Sequence, residues 1–257
     1  MAVVVLCSAG HSPGVSTTAL GLALTWPNEV LLVDADRTPT QSVLAGYLRG
    51  ERSGHHGLGG LLQAWRERRG FDEVIGAEAI DLPHLVARDE PVRFLPGFPH
   101  PGVVGLFGGA WPDLMAALAA RDGDVLIDAG RLGVDGLPLP VAQNADLVLV
   151  VTRTSLVALA ALRLYLPALR DAVAADRLAL GLIGSSMPYG RAEVQQQFGV
   201  TIAADVAFEP ESAAVLSDGA PAPRRFTTGA YVRGLTLAGR SIAGRLEAAR
   251  ELIGARR

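Results

Sequence analysis

Residues 7–18, Cys-Ser-Ala-Gly-His-Ser-Pro-Gly-Val-Ser-Thr-Thr, constrain this chain more than any other stretch. The run ahead of them, residues 2–6, is short, continuous and rich in valine, which predicts a buried strand. Residues 17–24 behind them predict a helix that opens on hydroxyl side chains. Strand, glycine-bearing turn and helix N-terminus form the setting in which a loop holds phosphate, because free backbone N–H groups and the helix dipole face the anion. Against the pattern G-x-x-x-x-G-K-[ST], Gly14 is the second glycine and Ser16 the hydroxyl. Ala9 stands at the first glycine and Val15 at the lysine. The cradle is therefore written in the sequence and its cation is not.

No lysine elsewhere makes up the loss, since all 23 basic residues are arginine. A compositional bias toward Ala, Gly and Arg accounts for lysines missing from a surface. It does not account for valine inside a phosphate loop, where arginine was equally available. The chain is 257 residues long, 49% hydrophobic and 19% charged, enough for a sizeable core and too apolar for disorder. A net charge of −3 supplies no general attraction to nucleic acid or acidic lipid. The single cysteine, Cys7, excludes an intrachain disulfide, and its place in the first strand predicts a buried thiol. No signal peptide is expected, nor any run near the ~20 apolar residues of a membrane span. These readings predict a cytoplasmic protein.

Further along, residues 30–36 read as a second buried strand running into Asp34 and Asp36. Open α/β sheets place ligands at such strand ends. Residues 42–49 predict a short helix, and residues 57–69 an amphipathic one with Leu58, Leu61, Leu62 and Trp65 at helical spacing. Proline and glycine break up residues 70–109, where only one strand fits, at 92–95. Helix 111–120 and strand 124–128 follow, the strand ending on Asp128. Then come strand 145–152, helix 156–174, strand 178–183, helix 191–198, strand 202–206, a loop, and a last helix over about 231–253. This alternation specifies one α/β domain over residues 1–257: a doubly wound, mostly parallel sheet with helices on both faces.

Taken in order, these segments resemble the ParA/MinD branch of P-loop ATPases, whose loop reads K-G-G-x-G-K-T-T. The likeness runs through Leu-Leu-Val-Asp-Ala-Asp at 31–36, Phe-Leu-Pro-Gly at 94–97, Asp-Val-Leu-Ile-Asp-Ala-Gly at 124–130 and Ala-Asp-Leu-Val-Leu-Val-Val-Thr at 145–152. Leu-Gly-Leu-Ile-Gly at 180–184 and Phe-Glu-Pro-Glu-Ser-Ala at 208–213 complete it. The resemblance implies an ATP site formed by Gly10, Pro13, Gly14, Val15, Ser16 and Thr17. Ser16 would hold Mg²⁺ directly, Asp128 would hold it through water, and Asp36 would orient the attacking water. Ser185 stands near the family's adenine-reading asparagine. Val15 replaces the lysine that bridges the phosphates, and Gly10 replaces the signature lysine used across the family's dimer. Since phosphoryl transfer depends on charge placed around the phosphates, two missing cations imply weak or lost hydrolysis.

Among chains of this kind, the irregular loop is most similar to the TadZ/CpaE proteins. That implies a positioning or scaffold protein, dimeric, joined to a partner in a larger assembly such as pilus or secretion machinery. A working Mg-ATPase with arginine in place of lysine is the second reading, with Arg37 and Arg131 the nearest cations, although solvated loop arginines are the commoner case. A DNA-riding partition ATPase is third, disfavoured by the negative charge and the lack of an arginine cluster. Simpler readings stand beside these. Ser16 and Thr17 are good N-cap residues, and Asp34 is equally suited to pairing with loop N–H groups. His55 and His56 fit an exposed glycine-rich loop better than a metal site. His11 lies within the loop but is a poor substitute for lysine at a pKa of ~6.5. The last helix, with Leu235, Ile242, Leu246 and Ile253 among its arginines, suits packing on the sheet better than peripheral contact with a membrane.

Overall fold

The computed structural model describes residues 1–10, 13–51, 56–86 and 90–254, with side chains to residue 251. Its strands are β1 (Val3–Ser8), β2 (Val30–Asp34), β3 (Ile80–Asp81), β4 (Val92–Leu95), β5 (Asp124–Arg131), β6 (Leu147–Arg153), β7 (Leu178–Ile183) and β8 (Thr201–Val206). They make one eight-stranded sheet in the order β3-β4-β2-β5-β1-β6-β7-β8. Every neighbouring pair is parallel except β3 with β4 at the edge. Alternate residues of β1 explain its unbroken apolar sequence. Val3, Val5 and Cys7 enter one core, while Val4 and Leu6 enter the other. A strand covered on both faces has no polar positions to alternate with.

The helices are α1 (Val15–Thr25), α2 (Leu58–Arg66), α3 (Phe71–Glu78), α4 (Pro101–Val104), α5 (Trp111–Ala120), α6 (Leu139–Asn144), α7 (Leu156–Ala172), α8 (Arg191–Phe198), α9 (Pro210–Ser217) and α10 (Ala230–Gly254). On one face, α1, α9 and α10 pack Leu20, Leu24, Leu216, Leu235 and Ile242 against the sheet. On the other, α2, α3, α5, α6, α7 and α8 contribute Leu61, Phe71, Leu114, Val141, Leu162 and Val194. Phe98, Phe107 and Trp111 meet edge to face in this second core, with ring centroids 4.9 to 6.1 Å apart. The last helix is a packing element, as expected: Tyr231, Val232, Leu235, Ala238, Ile242 and Leu246 are all buried. The Ile253 side chain and residues 255–257 lie outside the described residues, as do His11 and His55.

Several expectations need correction. Residues 70–109 are more regular than their prolines suggest, holding α3, the antiparallel edge strand β3, and α4 with a 3-10 turn at Gly105–Ala110. The helix expected at 42–49 is a single π-type turn, Val43–Tyr47. The loop expected after β8 contains α9, whose Pro210 occupies the first helical position, where a missing N–H costs nothing. The sequence also holds a stretch that was not expected. Pro101–Ala120 is long and apolar enough by composition to cross a membrane, with a mean hydropathy of 1.5. Here one side of it faces the core, with Phe107, Ala110, Leu114, Met115 and Leu118 fully buried, and much of the rest is exposed.

Candidate functional site

The loop after β1 and the ends of β2 and β5 meet at the carboxyl edge of the sheet. Gly14 precedes α1 in the left-handed region at φ 96°, a conformation that favours glycine, and no side chain caps the helix. The N-cap reading of Ser16 and Thr17 is therefore wrong. Ser16 is the second residue of α1, and its hydroxyl donates to the Asp128 carboxylate instead. The two residues expected to share a metal are thus in contact. Val15 has gone the other way. It is 6% exposed and belongs to the apolar cluster beneath α1, with Leu6, Ala19 and Leu149.

Three carboxylates converge beside this contact. Asp34 and Asp128 are register partners on β2 and β5, and Asp36 follows two residues beyond Asp34. All three are buried. Each accepts a backbone N–H: Asp34 from Asp36 at 3.1 Å, Asp36 from Thr38 at 2.7 Å, and Asp128 from Gly130 at 2.9 Å. The backbone fits closely around them. A Cβ at Gly97 would lie 2.6 Å from the Asp34 carboxyl carbon, and one at Gly130, where φ is 62°, 2.1 Å from that of Asp36. Burial, with Asp128 close by, pushes the Asp34 carboxyl well above its ordinary range. Burial raises Asp128 as well, against the Ser16 hydroxyl and the Gly130 N–H. It also raises Asp36, opposed by the Thr38 N–H and by the charges of Arg131 and Arg37.

The arginines differ in what they do. Arg37 donates to the Gly136 carbonyl and so ties down the turn after β5. Arg131, the last residue of β5, acts electrostatically on Asp36. A third arginine, missed in the sequence, shares a cavity with the loop. Arg153 ends β6, and its guanidinium carbon sits 4.9 Å from the ring centre of Phe208. Together they border a cavity of about 240 Å³ lined by Pro13, Gly14, Thr17 and Thr18 on one side and by Ile183, Glu209 and Tyr231 on the other. The available signal was position: Arg153 directly follows Ala-Asp-Leu-Val-Leu-Val-Val-Thr, on the same ligand edge as Asp34 and Asp128. Ser185 follows β7 in a turn and is not among the residues lining this cavity.

Among the described residues no three His, Cys, Asp or Glu side chains group as a metal site, but the Ser16 hydroxyl and the Asp128 carboxylate are the hard oxygen donors that Mg²⁺ takes together with water. The loop fits a triphosphate less well. Gly14 and the α1 N-terminus can face an anion, but the lysine position is apolar and turned into the core.

No protein-family model matches the sequence, and no curated protein matches it. Solved structures match its fold throughout. A ParA family ATPase from Chlorobium tepidum TLS superposes with a TM-score of 0.70 at 15% identity, covering 93% of this chain and 98% of that one. The cell division ATPase MinD of Pyrococcus furiosus gives 0.68 at 16% identity, over 95% and 98% of the two chains. MinD of Pyrococcus horikoshii OT3, complexed with Mg-ADP, gives 0.65 at 17%, over 94% and 95%. The architecture is that of the ParA/MinD ATPases, a P-loop α/β fold.

Proposed function

We propose that this chain is a ParA/MinD-like positioning or scaffold protein whose nucleotide pocket keeps its outline and has lost the charge that drives turnover. The observation that carries the reading is Val15, packed in the core at the place of the phosphate-bridging lysine. Gly10 at the signature lysine position removes the second cation. Phosphoryl transfer draws most of its acceleration from charge fixed around the phosphates, and one such group is worth about 3–4 kcal/mol. Its role is then to place a partner assembly rather than to cycle on ATP. Machinery of the pilus or secretion type, as served by the TadZ/CpaE proteins, is the assembly proposed, in the cytoplasm. The test is ATP turnover by the purified protein with Mg²⁺, alongside calorimetry. No turnover above background is expected. Unaided hydrolysis at a rate usual for P-loop ATPases, abolished by Ser16→Ala, would overturn the reading.

One observation favours a second reading. Arg153 borders the cavity beside Gly14 and Thr17, so a guanidinium is available where a bound phosphate would approach the loop. An ATPase using arginine for lysine would bind Mg-ATP measurably and lose that binding in Arg153→Ala. DNA binding as in partition ATPases gains no support from a charge of −3.

A further inference from the structure

Helices α7 and α8 lie on the same face of the sheet and run the same way, tied together at both ends. At their starts the Tyr189 N–H donates to the Thr154 carbonyl at 3.4 Å, and the Met187 N–H to the Thr154 hydroxyl at 3.2 Å. At their ends Arg170 of α7 donates to the carbonyl of Phe198, the last residue of α8. Between these ties the helices border a groove of about 760 Å³. Its floor is apolar, made by Leu159, Val194 and Phe198. Leu156, 66% exposed, and Ala160 form the α7 wall, while Gln196 and Gln197 form the α8 wall. The ties hold the helices at this spacing, and Leu156 is left in water at the lip of an apolar trough. Two charged side chains line it. Glu193 is committed, since its carboxylate accepts the Gly190 N–H at 2.7 Å and caps α8. Arg163 has no hydrogen bond or ion pair among the described residues.

We propose that this groove takes an acidic amphipathic helix of another protein, with its apolar face on Leu156, Leu159 and Val194 and a carboxylate on Arg163. Shape favours a helix, because two parallel helices with an apolar floor between them leave room for a third laid along the trough. The eight residues of α8 set the length at about 12 Å, which is two to three turns of the occupant. Its anchors then fall at i, i+3 or i+4, and i+7. Charge fixes the sign. The free cation is Arg163 and the one lining carboxylate is already engaged, so a basic helix would meet like charge with nothing to offset it. Gln196 and Gln197 donate and accept equally and do not select. Direction follows as well, since the dipoles of α7 and α8 add and an antiparallel occupant opposes both. This proposal rests on the reading of the chain as a protein that positions a partner, and it names that partner's chemistry.

The test is selection of a phage-displayed library of helix-forming peptides on the full chain, followed by fluorescence anisotropy of the enriched sequences as synthetic peptides. Enriched sequences are expected to carry apolar residues at the anchor spacing with Asp or Glu between them. Their affinity should fall at least tenfold in Ala160→Trp, which fills the groove, and in Arg163→Glu, which reverses its charge. Both positions are exposed, so circular dichroism should be unaltered. Arg163→Glu should also gain affinity for the same peptide with Lys in place of its acids. Leu237→Glu, on the exposed side of α10, should change nothing. No enrichment, basic sequences, or acidic ones whose binding survives both groove variants overturns the proposal. Self-association or binding to anionic vesicles that is lost in Ala160→Trp overturns it too, by giving the groove to a second copy or to a membrane. ATP turnover on the same samples keeps the two readings apart. Turnover with peptide binding intact sinks the scaffold reading alone, and neither turnover nor peptide binding sinks this proposal alone.

Discussion

Val15 and Asp34 show how one position can be read in two directions. At residue 15 the sequence reports a missing cation, and the structure adds that its replacement is a core side chain. Restoring lysine there asks whether the rest of the cradle still works. Val15→Lys is expected to raise Mg-ATP affinity by calorimetry at least tenfold, about 1.4 kcal/mol, with some loss of thermal stability from disturbing the apolar cluster. Unchanged affinity would mean that the loop has lost its shape as well as its charge. Asp34 titrates in the opposite sense to a paired surface acid. Its folded pKa is raised above the ordinary 3.8, so the folded protein holds the proton more tightly than the unfolded chain. Its contribution to stability is then fully present below the ordinary value and is lost as pH rises through the raised one. Asp34→Asn removes this penalty and keeps an oxygen for the Asp36 N–H. Its Tm relative to the native chain should be higher at pH 8 than at pH 5, and a pH-independent difference would refute the buried charge.

Between elements, one close approach is made where α10 crosses α1. A Cβ on Gly21 would lie 2.6 Å from Leu235 Cδ1 and 3.2 Å from Leu216 Cδ1. Gly21→Ala should therefore cost about 1–3 kcal/mol by overpacking, despite its better helix propensity. Leu235→Ala should cost about 2–5 kcal/mol by leaving a cavity. The double variant should cost less than the sum, because the new methyl enters the space the leucine left. Denaturant unfolding of the three variants measures this, and strict additivity would refute the contact. Such contacts are not legible in a sequence, where Gly21 looks like an ordinary weak point in a helix. The central strands were legible because burial on both faces leaves continuous runs of Val, Leu and Ile. The helices α3 and α9 were not, because Gly76 inside the one and Pro210 at the head of the other read as breaks, whereas α8, equally short but free of both, was legible. Asp34, Asp36 and Asp128 were legible from strand ends alone. The direction of the Ser16 hydroxyl was not, since a cap and a carboxylate partner require the same residue type.

Across the whole molecule, the question is whether α10 is a detachable tail or part of the body. Its basic residues and terminal position suit a peripheral membrane segment, but its buried row decides otherwise. Tyr231, Val232, Leu235, Ala238, Ile242 and Leu246 close the core over α1 and β8, and Trp26 of α1's C-cap lies against Gly239. Removing this helix would expose large apolar surface, at about 25 cal/mol per Å². Stability of a domain is about 5–15 kcal/mol, which a loss of that size exceeds or exhausts. A chain ending at Gly229 should therefore fail to give a soluble, cooperatively unfolding protein. A membrane tail would behave differently: the truncated chain would fold with its Tm preserved and lose only its sedimentation with anionic vesicles. Expression of the truncated and full chains side by side, followed by thermal unfolding of whatever is soluble, separates the two. A folded truncated protein would mean that the sheet's face is covered by α1 and α9 alone.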